Sequence, residues 1–103
     1  MKYYLGIDIG ATKTAALITD ENGNPLGTGQ GGPGNHETVG FEGMEKAMGE
    51  ALSGAISNAN IRIEDIEGAG FGIGGYDWPA EETIMRASIN NIGLKAPFKM
   101  VND

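Results

Sequence analysis

Six residues near the start of the chain have the types and spacing to hold a polyphosphate: Asp8, Gly10, Ala11, Thr12, Lys13 and Thr14. Gly10 and small Ala11 let a backbone approach a ligand closely, because little side chain intervenes. The N–H groups of such a turn form an anion-binding concavity. Thr12 and Thr14 add hydroxyl donors and Lys13 adds a positive charge. Asp8, at the end of an apolar strand, is placed to hold Mg²⁺, directly or through water. A plain hairpin turn with one solvated aspartate would use the same residues. The phosphate reading is preferred because carboxylate, small residues, hydroxyls and amine fall within seven positions. The stretch lacks the Gly-x-x-x-x-Gly-Lys-[Ser/Thr] pattern of a P-loop. It also lacks the helix that follows the glycines of a dinucleotide fold.

Three further stretches put polar groups beside flexible backbone. In Gly32-Pro33-Gly34-Asn35-His36, the Asn35 amide offers donors and acceptors that suit a vicinal diol, and reads equally as an Asx-type turn before a helix. In Gly72-Ile73-Gly74-Gly75-Tyr76-Asp77, glycines at a strand end make room for a ligand, and Asp77 reads as a helix cap. Val101-Asn102-Asp103 places a carboxylate after a strand.

The elements that must position these groups follow from periodicity. Residues 2–8 and 14–19 read as antiparallel strands, and Asn22-Gly23 as a tight turn. Leu26 to Gln30 continues as a glycine-weakened strand towards an edge. A loop over 31–37 precedes a helix from about Thr38 to Asn58. Its stripe is Phe41, Met44, Met48, Ala51, Leu52, Ala55, Ile56 and Ala59, at helical spacing. Gly43, Gly49 and Gly54 weaken that helix and would permit close packing on the sheet. After a connector, residues 69–73 form a strand. Asp77 or Trp78 then caps a second helix, with Pro79 in its first turn and Glu81 and Glu82 at its positive end. That helix stops near Asn90-Asn91-Ile92-Gly93. A last strand, 97–101, delivers Asn102 and Asp103. The order β-β-β-α-β-α-β predicts an α/β fold, a mixed sheet with helices packed on it.

The Gly10–Thr14 turn resembles the first phosphate motif of the superfamily of sugar kinases, heat-shock chaperone ATPases and actin. The element order resembles its ribonuclease H-like, actin-like ATPase core. The Asn35 segment, Gly74-Gly75-Tyr76-Asp77 and Asn102-Asp103 resemble, in order, segments of the N-acetylglucosamine kinases and the related BadF/BadG/BcrA/BcrD-type ATPases. The resemblance runs from Leu5 to Asp103. It implies ATP and Mg²⁺ as cofactors, phosphate binding by residues 10–14, sugar binding by Asn35, Gly75 and Asp103, and Asp103 as general base for the attacking hydroxyl. Two departures matter. Ile9 stands where these kinases often have glycine. Gly6-Ile7-Asp8-Ile9-Gly10 also resembles the ROK sugar kinases and repressors, which usually carry Gly-x-Pro-Gly where this chain has Gly74-Gly75-Tyr76-Asp77. Thr12-Lys13-Thr14 favours the kinases over the dehydratase activators.

Composition narrows the classes. The chain has 103 residues and 40% apolar content, enough for one core but small for a two-substrate enzyme. Residues 1–103 are expected to be one N-terminal subdomain of a longer protein, whose second actin-like domain lies elsewhere. The 18 glycines cluster without a collagen period, so they read as turns and ligand-approach loops. A net charge of −7 argues against nucleic-acid and anionic-membrane partners. There is no cysteine and one histidine, which removes disulfides, thiolate metal sites and a Ser-His-Asp or multi-histidine site. No apolar run approaches the ~20 residues of a membrane helix, so a cytoplasmic protein is expected. The expected partner is a small-molecule sugar; self-association into a homodimer stays open. Three functions follow: an amino-sugar kinase acting on N-acetylglucosamine or glucosamine, an ATPase driving a partner protein, and a non-catalytic ligand-binding half-domain. The isolated chain is expected to be inactive, because adenosine-binding loops and a second phosphate motif belong to the other half.

Overall fold

Alternation along the first strand decides which way the sheet faces. Leu5, Ile7 and Ile9 are buried, while Tyr4, Gly6 and Asp8 are exposed. The computed structural model describes residues 1–75 and 79–102. The elements are β1 (Tyr3–Ile9), β2 (Thr14–Asp20), β3 (Pro25–Gly31), α1 (His36–Ala59), a 3₁₀ turn (Ile63–Asp65), β4 (Ile66–Ile73), α2 (Glu82–Asn91) and β5 (Phe98–Asn102). They form one five-stranded sheet of order β3-β2-β1-β4-β5. The β1–β2 and β2–β3 pairs are antiparallel, and β1–β4 and β4–β5 are parallel. The expected α/β architecture and mixed sheet are therefore present, and β3 is an edge.

Both helices share one core. Leu5, Ile7, Ile9, Ile18, Phe71 and Ile73 of the sheet pack with Met44, Met48, Leu52, Met85 and Ile89 of the helices. Register places Ile7 beside Ala16 and Phe71, so all three strands present the same face. The opposite face carries Gly6, Asp8, Ala15, Leu17, Gly70 and Gly72 along an open trough of about 760 Å³.

Gly27, Gly29 and Gly31 fix how closely α1 lies on β3. A Cβ on Gly27 would meet the Ala59 backbone nitrogen at 2.5 Å, and on Gly29 and Gly31 it would run into the carbonyl oxygens of Ala51 and Ala47. Alternate strand residues advance about 6.8 Å. Four helix residues advance about 6.0 Å. Glycines two apart therefore stay in step with alanines four apart. Of the helix glycines expected to allow close packing, only Gly54 meets the sheet, at Gly29 Cα; Gly43 meets Val39 and Gly49 faces open space. The contact was made by removing side chains from the strand instead.

Both helices begin elsewhere than expected. α1 starts at His36, two residues early, because Asn35 caps it: its side-chain oxygen accepts from the Glu37 N–H at 3.0 Å. Gly40 has φ 75° and ψ 173°, which breaks the helix after its first turn. α2 starts at Glu82. A turn over Pro79–Glu81 precedes it, closed by the Glu82 N–H to the Pro79 carbonyl at 3.2 Å, so Pro79 lies before the helix and not in its first turn. The expected caps Asp77 and Trp78 lie outside the described residues. Gly93, at φ 93°, ends the segment after α2 as its sequence signal implied.

Candidate functional site

Three short segments meet where β1 ends. The Gly10 N–H donates to the Lys13 carbonyl at 3.0 Å, closing the turn between β1 and β2. The Gly34 N–H donates to the Gly10 carbonyl at 3.1 Å, and the Gly74 N–H to the Ile9 carbonyl at 3.2 Å. The first glycine loop, the segment before α1 and the end of β4 are thus stitched together by backbone. In open α/β sheets, the crevice beyond the carboxyl ends of the parallel strands is where ligands bind.

Gly10 is required by this geometry. A Cβ there would stand 2.9 Å from the Lys13 carbonyl oxygen. Ala11, Thr12 and Lys13 are all exposed and available to a ligand. Thr14 is not. It is the first residue of β2, its side chain is fully buried, and its Oγ1 has no hydrogen-bond partner among the described residues. A Cβ on Gly34 would come within 2.5 Å of that oxygen. The expected hydroxyl donor at Thr14 therefore points to the helix side, because β2 pairs Thr14 with Ile9 and puts both on the core face. Only the Thr14 backbone remains as part of the loop.

Asp8 is exposed on the open face, level with Ala15 on one side and Gly72 on the other. No group of three or more acidic or histidine side chains that could cage a metal exists among the described residues. One carboxylate suits Mg²⁺ nonetheless, since that ion keeps several waters and is usually held by one or two carboxylates plus substrate phosphates. The chemistry of the donor set fits a Mg²⁺–nucleotide: Asp8 could hold the metal and the exposed Gly10–Lys13 turn could meet the phosphates.

The substrate-side candidates Asn35 and Gly75 also come together. Gly75 has φ 73°. A Cβ on it would collide with the Glu37 carboxylate and reach the Asn35 side-chain oxygen at 3.5 Å. Because that oxygen already accepts the α1 N–H, Asn35 offers a ligand its N–H donors. Glu37 beside it offers acceptors. Glu37 was not found from sequence; only its place two residues after a potential cap hinted at it. Asp103 and Asp77 lie outside the described residues, while Asn102 ends β5 opposite Ile73.

His36 sits between Asn35 and Glu37 and turns inward. Its ring is stacked on Phe41, with centroids 4.9 Å apart. Its Nε2 lies 3.0 Å from each carboxylate oxygen of Glu81. A carboxylate only accepts, so Nε2 is the donor here.

The five-stranded mixed sheet with its helices on one face and a glycine loop after β1 is a ribonuclease H-like α/β fold. The likeness to solved proteins agrees. A putative N-acetylglucosamine kinase from Porphyromonas gingivalis superposes with TM-score 0.73 at 19% identity, covering 97% of this chain and 34% of that one. A putative N-acetylglucosamine kinase from Chromobacterium violaceum gives TM-score 0.65 at 17% identity, over 99% of this chain and 35% of that one. Component A of the Acidaminococcus fermentans (R)-2-hydroxyglutaryl-CoA dehydratase gives 0.58 at 22%, over 97% and 30%. The chain spans about a third of the length of these solved relatives. No curated protein sequence matches it. The model of the BadF/BadG/BcrA/BcrD ATPase family matches residues 5–96, and the chain belongs to that family.

Proposed function

We propose that this chain is the N-terminal half-site of an ATP-dependent kinase for an amino sugar, N-acetylglucosamine or glucosamine, completed by a second actin-like domain. The observation that carries the reading is the backbone stitching of Gly10 to Gly34 and of Ile9 to Gly74. It sets a phosphate-type loop beside a donor–acceptor pair suited to a diol. In this reading Gly10–Lys13 cradle the phosphates, and Asp8 would hold a Mg²⁺ ion that would supply neutralisation of phosphate charge. Asn35, Gly75 and Asp103 hold the sugar. Asp103 accepts the hydroxyl proton as attack proceeds; phosphoryl transfer asks for such positioning more than for a strong base.

A second reading is supported by the family's ATPases and by the likeness to a dehydratase component. ATP hydrolysis would then drive a change in a partner protein. One experiment separates the two: ADP release by the natural-length protein with Mg-ATP, with a panel of sugars and a no-sugar blank. Stimulation by one hexosamine, about tenfold or more, is expected. Equal release with and without sugar would replace the kinase reading by the energy-coupling one.

A further inference from the structure

The first turn of α1 is mechanically separate from the rest of that helix. Gly40 leaves helical geometry at φ 75°, ψ 173°, and a Cβ there would find no atom within 4 Å. Packing therefore does not demand glycine at that position; the backbone conformation does. Regular helix geometry does not run from residues 36–39 into the helix body across this break. Within the turn, the Thr38 and Val39 N–H groups both return to the Asn35 carbonyl at 2.9 Å.

The side chain that ties the turn to the body is His36. It is 3% exposed and held at Phe41 by stacking and at Glu81 by Nε2, while its buried Nδ1 has no partner among the described residues. Glu81 occupies the cap position of α2 without making a side-chain cap bond to it. Its carboxylate instead crosses 45 positions to His36. The neighbours on either side of His36 are Asn35 and Glu37, the two side chains that meet Gly75.

We infer that Asn35–Val39 is a substrate-side turn hinged at Gly40, and that His36 is a positioning residue latched to Glu81 that sets the turn against Gly75. The inference rests on the sugar-kinase reading for the substrate side of the turn and for its kinetic readout; the His36–Glu81 latch itself does not. The latch aligns Asn35 and Glu37 without touching the phosphate loop. Its loss therefore falls on the sugar and not on ATP.

The test uses the natural-length protein with His36→Ala, Glu81→Ala, the double variant, and the conservative His36→Gln and Glu81→Gln. Glutamine at 36 retains an N–H near the position of Nε2, and glutamine at 81 retains an acceptor oxygen. The alanine variants should raise the sugar KM about tenfold or more, as expected for a lost charge-assisted hydrogen bond. The ATP KM should stay within about twofold, and the double variant should be no worse than either single one. Both glutamine variants should lie within about threefold of the parent. Equal rises in both KM values, or additive losses, would overturn the latch. If no sugar stimulates even the parent, the kinase reading fails, and amide exchange of residues 35–39 and 74–75 judges the latch alone. Faster exchange in the alanine variants, restored in the glutamine variants, supports it. Unchanged exchange refutes it, and the glutamine variants keep this readable should an alanine variant fail to fold.

Discussion

The two faces of the sheet both carry glycines at alternate positions, with opposite consequences. On the helix-covered face, Gly27, Gly29 and Gly31 are pressed against the α1 backbone. On the other face, Gly6 and Gly70 have nothing within 4 Å of where a Cβ would stand. The same residue type is a packing requirement in one place and a source of open space in the other. Glycine content alone therefore says nothing about cost; the partner of each glycine does.

The sharpest way to break this comparison is Gly29→Ala. The atoms it would strike are the Ala51 carbonyl and the Ala55 nitrogen. Both belong to a helix backbone and cannot rotate away. Overpacking of that kind costs about 3 kcal/mol or more. In a domain of this size that is a fall in Tm of roughly 10–20 °C. Thermal unfolding followed by circular dichroism measures it. A fall under about 3 °C would mean that α1 lifts off β3 easily, and that the seam does not set their spacing.

The seam also marks where sequence reading stopped. The helix stripe was legible because Met44, Met48, Leu52 and Ala55 recur at helical spacing. The strands were legible from alternation and from Asn22-Gly23. The meaning of Gly27, Gly29 and Gly31 was not, since a strand of glycines looks weak until the facing alanines are known. Ala47 was missed for the same reason: its burial depends on Gly31 and not on its own apolarity. At the site, the loop was legible from Gly10 to Lys13 because the signal is local. The Thr14 hydroxyl, expected as a donor, faces the core, because facing depends on the register with Ile9. The meeting of Asn35, Glu37 and Gly75 joins positions nearly forty apart, and no local pattern encodes it.

A smaller effect, of opposite sign, is expected on the open face. Gly6→Ala and Gly70→Ala in this 103-residue chain add a methyl group where no atom interferes, and remove freedom from the unfolded chain. Such changes stabilise by about 0.4–1 kcal/mol where the backbone allows them. Tm should stay level or rise by a few degrees. A clear fall in Tm for either variant would show that the open face is in use within the chain, and the contrast with β3 would be lost.

The smallest effect belongs to a segment that takes part in neither face, the β2–β3 hairpin end. Asp20 accepts from the Asn24 side chain at 3.0 Å and from the Asn22 and Asn24 N–H groups at 2.9 and 3.0 Å. The Asn24 side chain first, and then these backbone donors, hold its carboxyl below the ordinary aspartate value. The sign follows from linkage. A carboxylate whose folded-state value is depressed adds stability above the unfolded value, and that stability is lost as pH falls through the folded one. Asp20 lies at the surface, where solvent and salt screen its interactions, so the contribution is small. Between neutral pH and pH 2, Tm should therefore fall slightly less in Asp20→Asn than in the parent. At neutral pH the variant should be marginally the less stable of the two. Parallel Tm–pH curves would assign the acid sensitivity of the chain to carboxylates elsewhere. The hairpin end would then be held by its backbone bonds, from the Gly23 N–H to the Asp20 carbonyl and from the Asp20 N–H to the Asn24 carbonyl.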